Sequence, residues 1–135
     1  MQSRKENEGY WLMLEKGEEI RATIEKWANG ERISGAQVWG IGAVDGAELG
    51  YFNINSKKYE SRKFPGQHEI VSCTGNINSE GFHAHLSISN GGFSVFGGHL
   101  LSAKISVVGE FFVLPTNPLR KIPAPEFGLK KIELY

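Results

Sequence analysis

Residues 82–100 have the sequence FHAHLSISNGGFSVFGGHL, which predicts two antiparallel strands joined by a turn at Asn90-Gly91. In the first predicted strand, apolar and polar side chains alternate, as they do in a strand with one buried face. The apolar positions are Phe82, Ala84, Leu86 and Ile88. The imidazoles of His83 and His85 therefore lie side by side on the opposite, polar face.

The register of this hairpin decides where the third histidine, His99, lies. A two-residue turn at Asn90-Gly91 places Phe93 opposite Ile88, which is an apolar match typical of a core face. Continued without interruption, that register places His99 opposite Phe82, on the buried face. A one-residue bulge is needed to bring His99 to the polar face.

A three-histidine metal site is predicted if the bulge falls at Gly97-Gly98, where an extra residue is easiest to accommodate. His99 then lies opposite His83. Three neutral imidazoles on rigid strands suit Zn²⁺, with bonds of about 2.0–2.1 Å, and leave its fourth position open. Protonation near the reference pKa of about 6.5 would compete with metal binding. The alternative is that His83 and His85 are ordinary polar-face residues and that the glycines merely turn the chain.

Away from the hairpin, the sequence predicts one helix and several strands. The helix has an apolar stripe, follows Glu18-Glu19 and ends at Asn29-Gly30. The stripe consists of Ile20, Ile24, Trp27 and Ala28. The strand-like segments are residues 10–14, 36–44, 47–52, 58–64, 69–77, 82–89, 93–96 and 105–114, with a hairpin turn at Asp45-Gly46. This order predicts an α+β fold, a two-layer sandwich with a mostly antiparallel sheet and one main helix.

The length of 135 residues predicts a single domain, residues 1–135, in which residues 115–135 form an extended C-terminal arm. Leu129, Ile132 and Leu134 are the expected anchors of that arm, and a disordered tail is the alternative. Cys73 lies in an apolar segment and is expected to be a buried, reduced thiol.

Charge and hydropathy exclude several classes of protein. Fifteen basic residues balance fifteen acidic ones, which excludes a strongly basic nucleic-acid binder. No apolar run approaches the roughly 20 residues of a spanning helix, and the first residues are polar, so we expect a cytoplasmic protein without membrane contact. Gly40-Ile41-Gly42-Ala43 begins like a nucleotide-binding loop, but neither the remaining glycine nor a following helix is present. His68 follows the Pro65-Gly66 turn and is not counted as a ligand.

Five motifs in order resemble the plant-and-prokaryote-conserved (PPC) domain over about residues 10–114. They are Gly17-Glu18-Glu19, Gly40-Ile41-Gly42-Ala43, Gly66-Gln67-His68-Glu69-Ile70-Val71, His83-Ala84-His85-Leu86 and Gly97-Gly98-His99-Leu100. The resemblance implies a two-layer α+β domain that forms a homotrimer, with a three-histidine metal site at His83, His85 and His99.

The resemblance also bears on DNA binding. In plant members the domain follows an AT-hook centred on Arg-Gly-Arg-Pro, and this sequence contains no Arg-Gly-Arg. Direct DNA binding is therefore not expected, although prokaryotic relatives are often labelled as DNA-binding. Gln67 and His68 replace the Arg-Phe of a plant segment linked to partner binding, so that role is not carried over.

Two functions follow from these observations. The first is a stand-alone homotrimeric binding or regulatory module with a zinc site and room for a small-molecule ligand. The alternative is a metal-dependent enzyme acting on an unidentified small molecule, for which Glu69 and Glu110 are candidate proton acceptors because they are carboxylates within strand segments.

Overall fold

The computed structural model describes residues 1–134, which form eight strands and one helix. The elements are β1 (Gln2–Glu6), β2 (Gly9–Glu15), α1 (Ile20–Gly30), β3 (Ala36–Asn53), β4 (Lys58–Asn78), β5 (Gly81–Ser89), β6 (Val95–Pro115), β7 (Lys121–Ala124) and β8 (Leu129–Ile132). Within these residues no helix is both long enough and apolar enough to cross a bilayer.

The main sheet is antiparallel, with strand order β1-β2-β6-β3-β4-β5. Strand β5 also pairs with β6, so β3, β4, β5 and β6 form a closed ring of paired strands. The α+β class, with a mostly antiparallel sheet and one helix in the part of the chain described, is confirmed. The two-layer arrangement stays a prediction.

Helix α1 begins and packs as its sequence predicts. The carboxylate of Glu19 caps the first turn by accepting hydrogen bonds from the backbone N–H groups of Arg21, at 3.2 Å, and Ala22, at 2.7 Å. It also accepts the N–H of Ala103 at 3.1 Å, which ties the start of the helix to β6. The predicted apolar stripe is buried against the sheet: Ile20, Ile24, Trp27 and Ala28.

The predicted turn at Asp45-Gly46 is wrong, because β3 runs through it without reversing. The register of β3 shifts between Asp45 and Ala47, and Gly46 has a φ of +86° there. A glycine in the left-handed backbone conformation occurs in β-bulges as well as in hairpin turns, so Asp45-Gly46 in the sequence does not distinguish the two. In the same way, segments 58–64 and 69–77 are one strand, β4. Of the predicted segment 93–96, residues 95 and 96 belong to the same strand as segment 105–114, β6, whereas residues 93 and 94 lie in the loop before it.

The segment after β6 contains the hairpin of β7 and β8. Ser79, in the turn before β5, makes two hydrogen bonds to this C-terminal segment. Its backbone N–H donates to the carbonyl of Leu119, and its hydroxyl accepts a hydrogen bond from the N–H of Lys121 at 3.0 Å. Of the expected anchors, Leu129 and Ile132 are half-buried, but Leu134 is 76% exposed and anchors nothing within the described chain. The last residue of the predicted arm, residue 135, lies outside the described residues.

The single cysteine is buried as predicted. Cys73 lies on β4 opposite Gly40 and Leu86 and has no exposed surface. Burial raises the pKa of its thiol to about 12, so the reactive thiolate is disfavoured at neutral pH. The thiol is therefore an apolar component of the core.

Candidate metal centre

Three histidine side chains converge on one face of the ring of strands. His85 on β5 is directly opposite His99 on β6, and His83 lies two residues from His85 on the same face. The ring centroids of His83 and His99 are 4.9 Å apart, and those of His85 lie 5.7 and 5.8 Å from the other two. One ring nitrogen from each residue lies within 4.8 Å of the others. The structure thus brings together all three histidines that the sequence singles out.

The route by which His99 reaches this face differs from the predicted one. The chain does not turn over two residues at Asn90-Gly91, since the last paired residues are Ser89 and Val95. The side-chain oxygen of Asn90 accepts the N–H groups of Gly92 at 3.0 Å and Ser94 at 3.1 Å, which stabilises a longer loop. The length of this loop sets the register of the hairpin, and β5 and β6 pair without a bulge.

The predicted bulge at Gly97-Gly98 is therefore wrong, and so is the pairing of His99 with His83. The structure gives Gly98 a different role. A Cβ atom there would lie 2.7 Å from the carbonyl oxygen of Gly50 and 3.2 Å from the Cβ of Leu49. Glycine lets β3 approach β6 beside His99, so that β6 can pair with β3 on one side and β5 on the other.

The electrostatic environment favours neutral imidazoles. Burial and, to a smaller extent, the positive charges of Lys121, the other two histidines and Arg21 together lower the pKa of His83 to about 4. Burial also lowers the pKa of His99, with smaller contributions from His85 and Arg21. Since a metal binds only the deprotonated ring, the competition with protons moves below the predicted pH of about 6.5 for these two ligands.

The donor set fits a zinc ion. In a tetrahedral site with bonds of about 2.0–2.1 Å, two ligand nitrogens lie about 3.3 Å apart. The candidate ligand nitrogens lie within 4.8 Å of one another, and small side-chain rotations would bring them to this tetrahedral separation. All three rings project from paired strands, which hold them close together. A zinc ion held by His83, His85 and His99 would keep one coordination position open, as catalytic or ligand-binding sites do.

The metal-free protein is expected to lose stability as the pH falls from about 6.5 to about 4. In that range the unfolded chain binds protons at His83 and His99 that the folded chain does not, because the folded pKa values are lowered. For His83 alone we expect a loss of about 1–2 kcal/mol, allowing for solvent around a half-buried ring. Urea titrations after chelator treatment measure it.

Two variants control this measurement. His83→Gln should flatten the pH dependence, whereas His68→Gln, which changes a histidine outside the cluster, should leave it as in the parent. A His83→Gln profile as steep as that of the parent would contradict the assignment.

The three histidines form part of the wall of a cavity of about 1010 Å³. The start of α1, the end of β3, the start of β4 and the β7–β8 hairpin supply the other walls. The polar residues that the sequence reasoning missed here include Arg21, Tyr59, Glu80, Lys121 and Lys130. No local motif marks them, because they come from distant parts of the chain.

Neither predicted proton acceptor lines this cavity. Glu69 pairs with Ser89, four residues along β5 from His85, or about 13 Å along the strand. Glu110 lies on β6 between Met13 and Ile41. Glu80 is the carboxylate that lines the cavity within the described residues, and it forms an ion pair with Lys130.

A ring of antiparallel strands with one helix and an open three-histidine centre defines a small β-rich domain with a candidate metal site. The profile of the Plants and Prokaryotes Conserved (PCC) domain matches residues 1–117. The chain belongs to this family, and the PPC resemblance of the sequence is confirmed.

Solved structures agree with this membership. A proposed DNA-binding protein from Bacteroides thetaiotaomicron is 28% identical, with a TM-score of 0.93 over 98% of this chain and 96% of its own. The PPC protein from Pyrococcus horikoshii is 29% identical, with a TM-score of 0.85 over 99% and 94%. A metal-containing protein from Archaeoglobus fulgidus is also 29% identical, with a TM-score of 0.85 over 98% and 95%. A comparison with functionally curated proteins gives no match.

Proposed function

We propose that this chain is a cytoplasmic PPC module that assembles as a homotrimer, holds one zinc ion at His83, His85 and His99, and acts by binding a ligand or partner. The observation that carries the proposal is the approach of three imidazole nitrogens to within 4.8 Å of one another at the wall of a large cavity. The similar protein from Archaeoglobus fulgidus, described as metal-containing, adds support.

Elemental analysis of protein purified without a histidine tag tests the metal. We expect one zinc ion per chain, because neutral, strand-held imidazoles form a preorganised site. A chain that stays free of zinc after dialysis against zinc, while remaining folded, would overturn this part of the proposal.

An exposed apolar face supports the homotrimer. Trp11 on β2 and Trp39 on β3 flank Phe112 on β6, and Met13 and Ile41 flank Glu110 on the same three strands. The four flanking apolar side chains are 37–56% exposed. The ring of Phe112 lies 5.1 Å from that of Trp11 and 6.3 Å from that of Trp39. Exposed aromatic and aliphatic side chains clustered in this way are unfavourable in water, and association between copies would cover them.

Replacing Ile41 by glutamate is expected to dissociate the trimer. The change adds a charge to the apolar face, beside Glu110, where like charges repel. Sedimentation equilibrium at micromolar concentration should give three times 15.0 kDa for the parent and one subunit mass for Ile41→Glu.

Ile54→Glu is the matched control for this experiment. Ile54 is 59% exposed, against 56% for Ile41, but lies in the turn between β3 and β4. This variant should stay trimeric. A monomeric parent, or an Ile41→Glu variant that remains trimeric, would reject the proposed interface.

Direct DNA binding is not part of the proposed function. The basic pairs of the C-terminal segment meet on the β7–β8 hairpin, but three of the four side chains are paired with carboxylates. The pairs are Arg120 with Glu133, Lys130 with Glu80 and Lys131 with Glu126. With no net charge on the chain, little attraction for phosphates remains, and any measured DNA affinity should change little with salt.

A metal-dependent enzyme is the second candidate, favoured by the position of the histidines in a cavity large enough for a small molecule. A zinc ion there would supply a Lewis acid. Glu80 and Tyr59 are among the lining groups able to bind or orient a polar substrate. Activated-ester hydrolysis by zinc-loaded protein, lost in His99→Ala, would favour this candidate over the module.

A further inference from the structure

The cavity beside the histidines has the size of a small-molecule site. Its volume of about 1010 Å³ lies at the upper end of the range of roughly 300–1,000 Å³ typical of ligand pockets. The β7–β8 hairpin lines the same cavity as the histidines through Lys121, Pro123, Leu129 and Lys130. A ligand in this space has both the metal centre and the hairpin within its walls.

More positively than negatively charged side chains line the cavity. Arg21, Lys121 and Lys130 line it, against the single carboxylate of Glu80 within the described chain. Lys130 is paired with Glu80, and Arg21 with Glu25 through an Nε–Oε1 contact of 3.0 Å.

Lys121 is different because it forms no ion pair within residues 1–134, although it is half-buried. Lys121 lines the same cavity as the three histidines. A half-buried ammonium group without an ion pair in the described part of the chain favours a negatively charged occupant.

Two aromatic side chains lie next to His99 in the cavity wall. The ring of Tyr59 is 5.6 Å from that of His99 and 5.2 Å from that of Phe52. All three side chains line the cavity. Such a wall packs against a flat or apolar molecular body, while the polar groups fix its orientation.

From these observations we infer that the cavity binds a small organic anion whose carboxylate or phosphate group lies between the histidine centre and Lys121, with its apolar body against Phe52 and Tyr59. The inference rests on the proposed metal site, because the open position of the ion would take one ligand oxygen. A concave site of this size does not fit a DNA duplex, so a small molecule is the favoured source of the anionic group.

Calorimetric titration of the zinc-loaded protein tests this inference with three probes of similar shape: benzoate, phenylphosphonate and neutral benzamide. A hydrogen bond to a charged group contributes about 1.5–3 kcal/mol, so at least one anion should bind at least about tenfold more tightly than benzamide. The better of the two anions identifies carboxylate or phosphate as the preferred group.

Lys121→Gln should remove most of this preference, and Lys121→Arg should restore it in part. Lys131→Gln is the matched control, because Lys131 lies on the same hairpin but does not line the cavity and should leave all three affinities within about twofold of the parent. Equal binding of benzamide and both anions, or equal effects of the Lys121→Gln and Lys131→Gln changes, would overturn the inference.

Two additional measurements separate the possible failures. Zinc content, determined on the same samples, tests the proposed metal site. If zinc is present but the anions are not preferred, only the inference about the anion is refuted. If zinc is absent, the metal site on which that inference rests is refuted. A fluorescent DNA duplex forms the second arm. If Lys121→Gln weakens binding of the duplex but not of the small anions, the cavity is a phosphate contact for DNA and the inference is wrong.

Discussion

Zinc affinity is expected to fall at least about 100-fold when His99 is replaced by alanine. Loss of a residue that only supports a metal ligand commonly costs 10–100-fold, and loss of a ligand itself should exceed that. The two remaining imidazoles, of His83 and His85, both project from β5, so nothing from β6 would hold the ion. Competition with a chromophoric chelator near neutral pH measures the affinity.

The matched control is His68→Ala, which removes a histidine that lies outside the cluster. Nδ1 of His68 is 3.0 Å from the carbonyl oxygen of Gly66, and its ring packs near Phe64. This variant should bind zinc as the parent does. If both variants bound zinc equally, the three-histidine assignment would have to be abandoned.

The second large effect is expected for Gly75→Ala, which should lower the free energy of unfolding by about 3 kcal/mol. A Cβ atom at this position would lie 2.2 Å from the carbonyl oxygen of His83 and 2.6 Å from the Cα of Ala84. Both are backbone atoms of the paired strand β5, so no side-chain rotation can relieve the contact. The strands must separate, which also shifts His83 and should weaken zinc binding.

Gly91→Ala provides the comparison. Gly91 lies in the loop between β5 and β6, and an added Cβ would meet no atom within 4 Å. We expect its free energy of unfolding, from urea titration, to stay within about 0.5 kcal/mol of the parent. A Gly75→Ala variant as stable as Gly91→Ala would show that β4 and β5 are less closely packed than described.

Local periodicity explains what the sequence could predict. The buried stripe of α1 and the alternation from Phe82 to Ile88 are properties of neighbouring residues, and both are confirmed. The shared face of His83 and His85 follows from the same alternation. The relative position of two of the three candidate ligands could therefore be predicted from local sequence alone.

Long-range pairing explains what could not be predicted. The turn at Asp45-Gly46 is a bulge because β3 continues along both β4 and β6, and no local pattern reports that continuity. The conclusion that His99 joins the other histidines holds, but the predicted bulge does not, since Asn90 sets the register through a longer loop. The cavity depends on Arg21 and Lys121, which only the folded chain brings together.

The C-terminal hairpin and the three histidines line the same cavity but come from different parts of the chain. The family profile ends at residue 117, whereas Lys121 and the rest of the hairpin wall follow it. A chain ended at residue 117 would keep all three histidines yet lose that wall of the cavity. If the cavity binds a ligand as proposed, exchange of tails between homologues would keep the three histidines and replace the wall that the ligand meets, so residues beyond the matched region are the first place to look for differences in ligand preference.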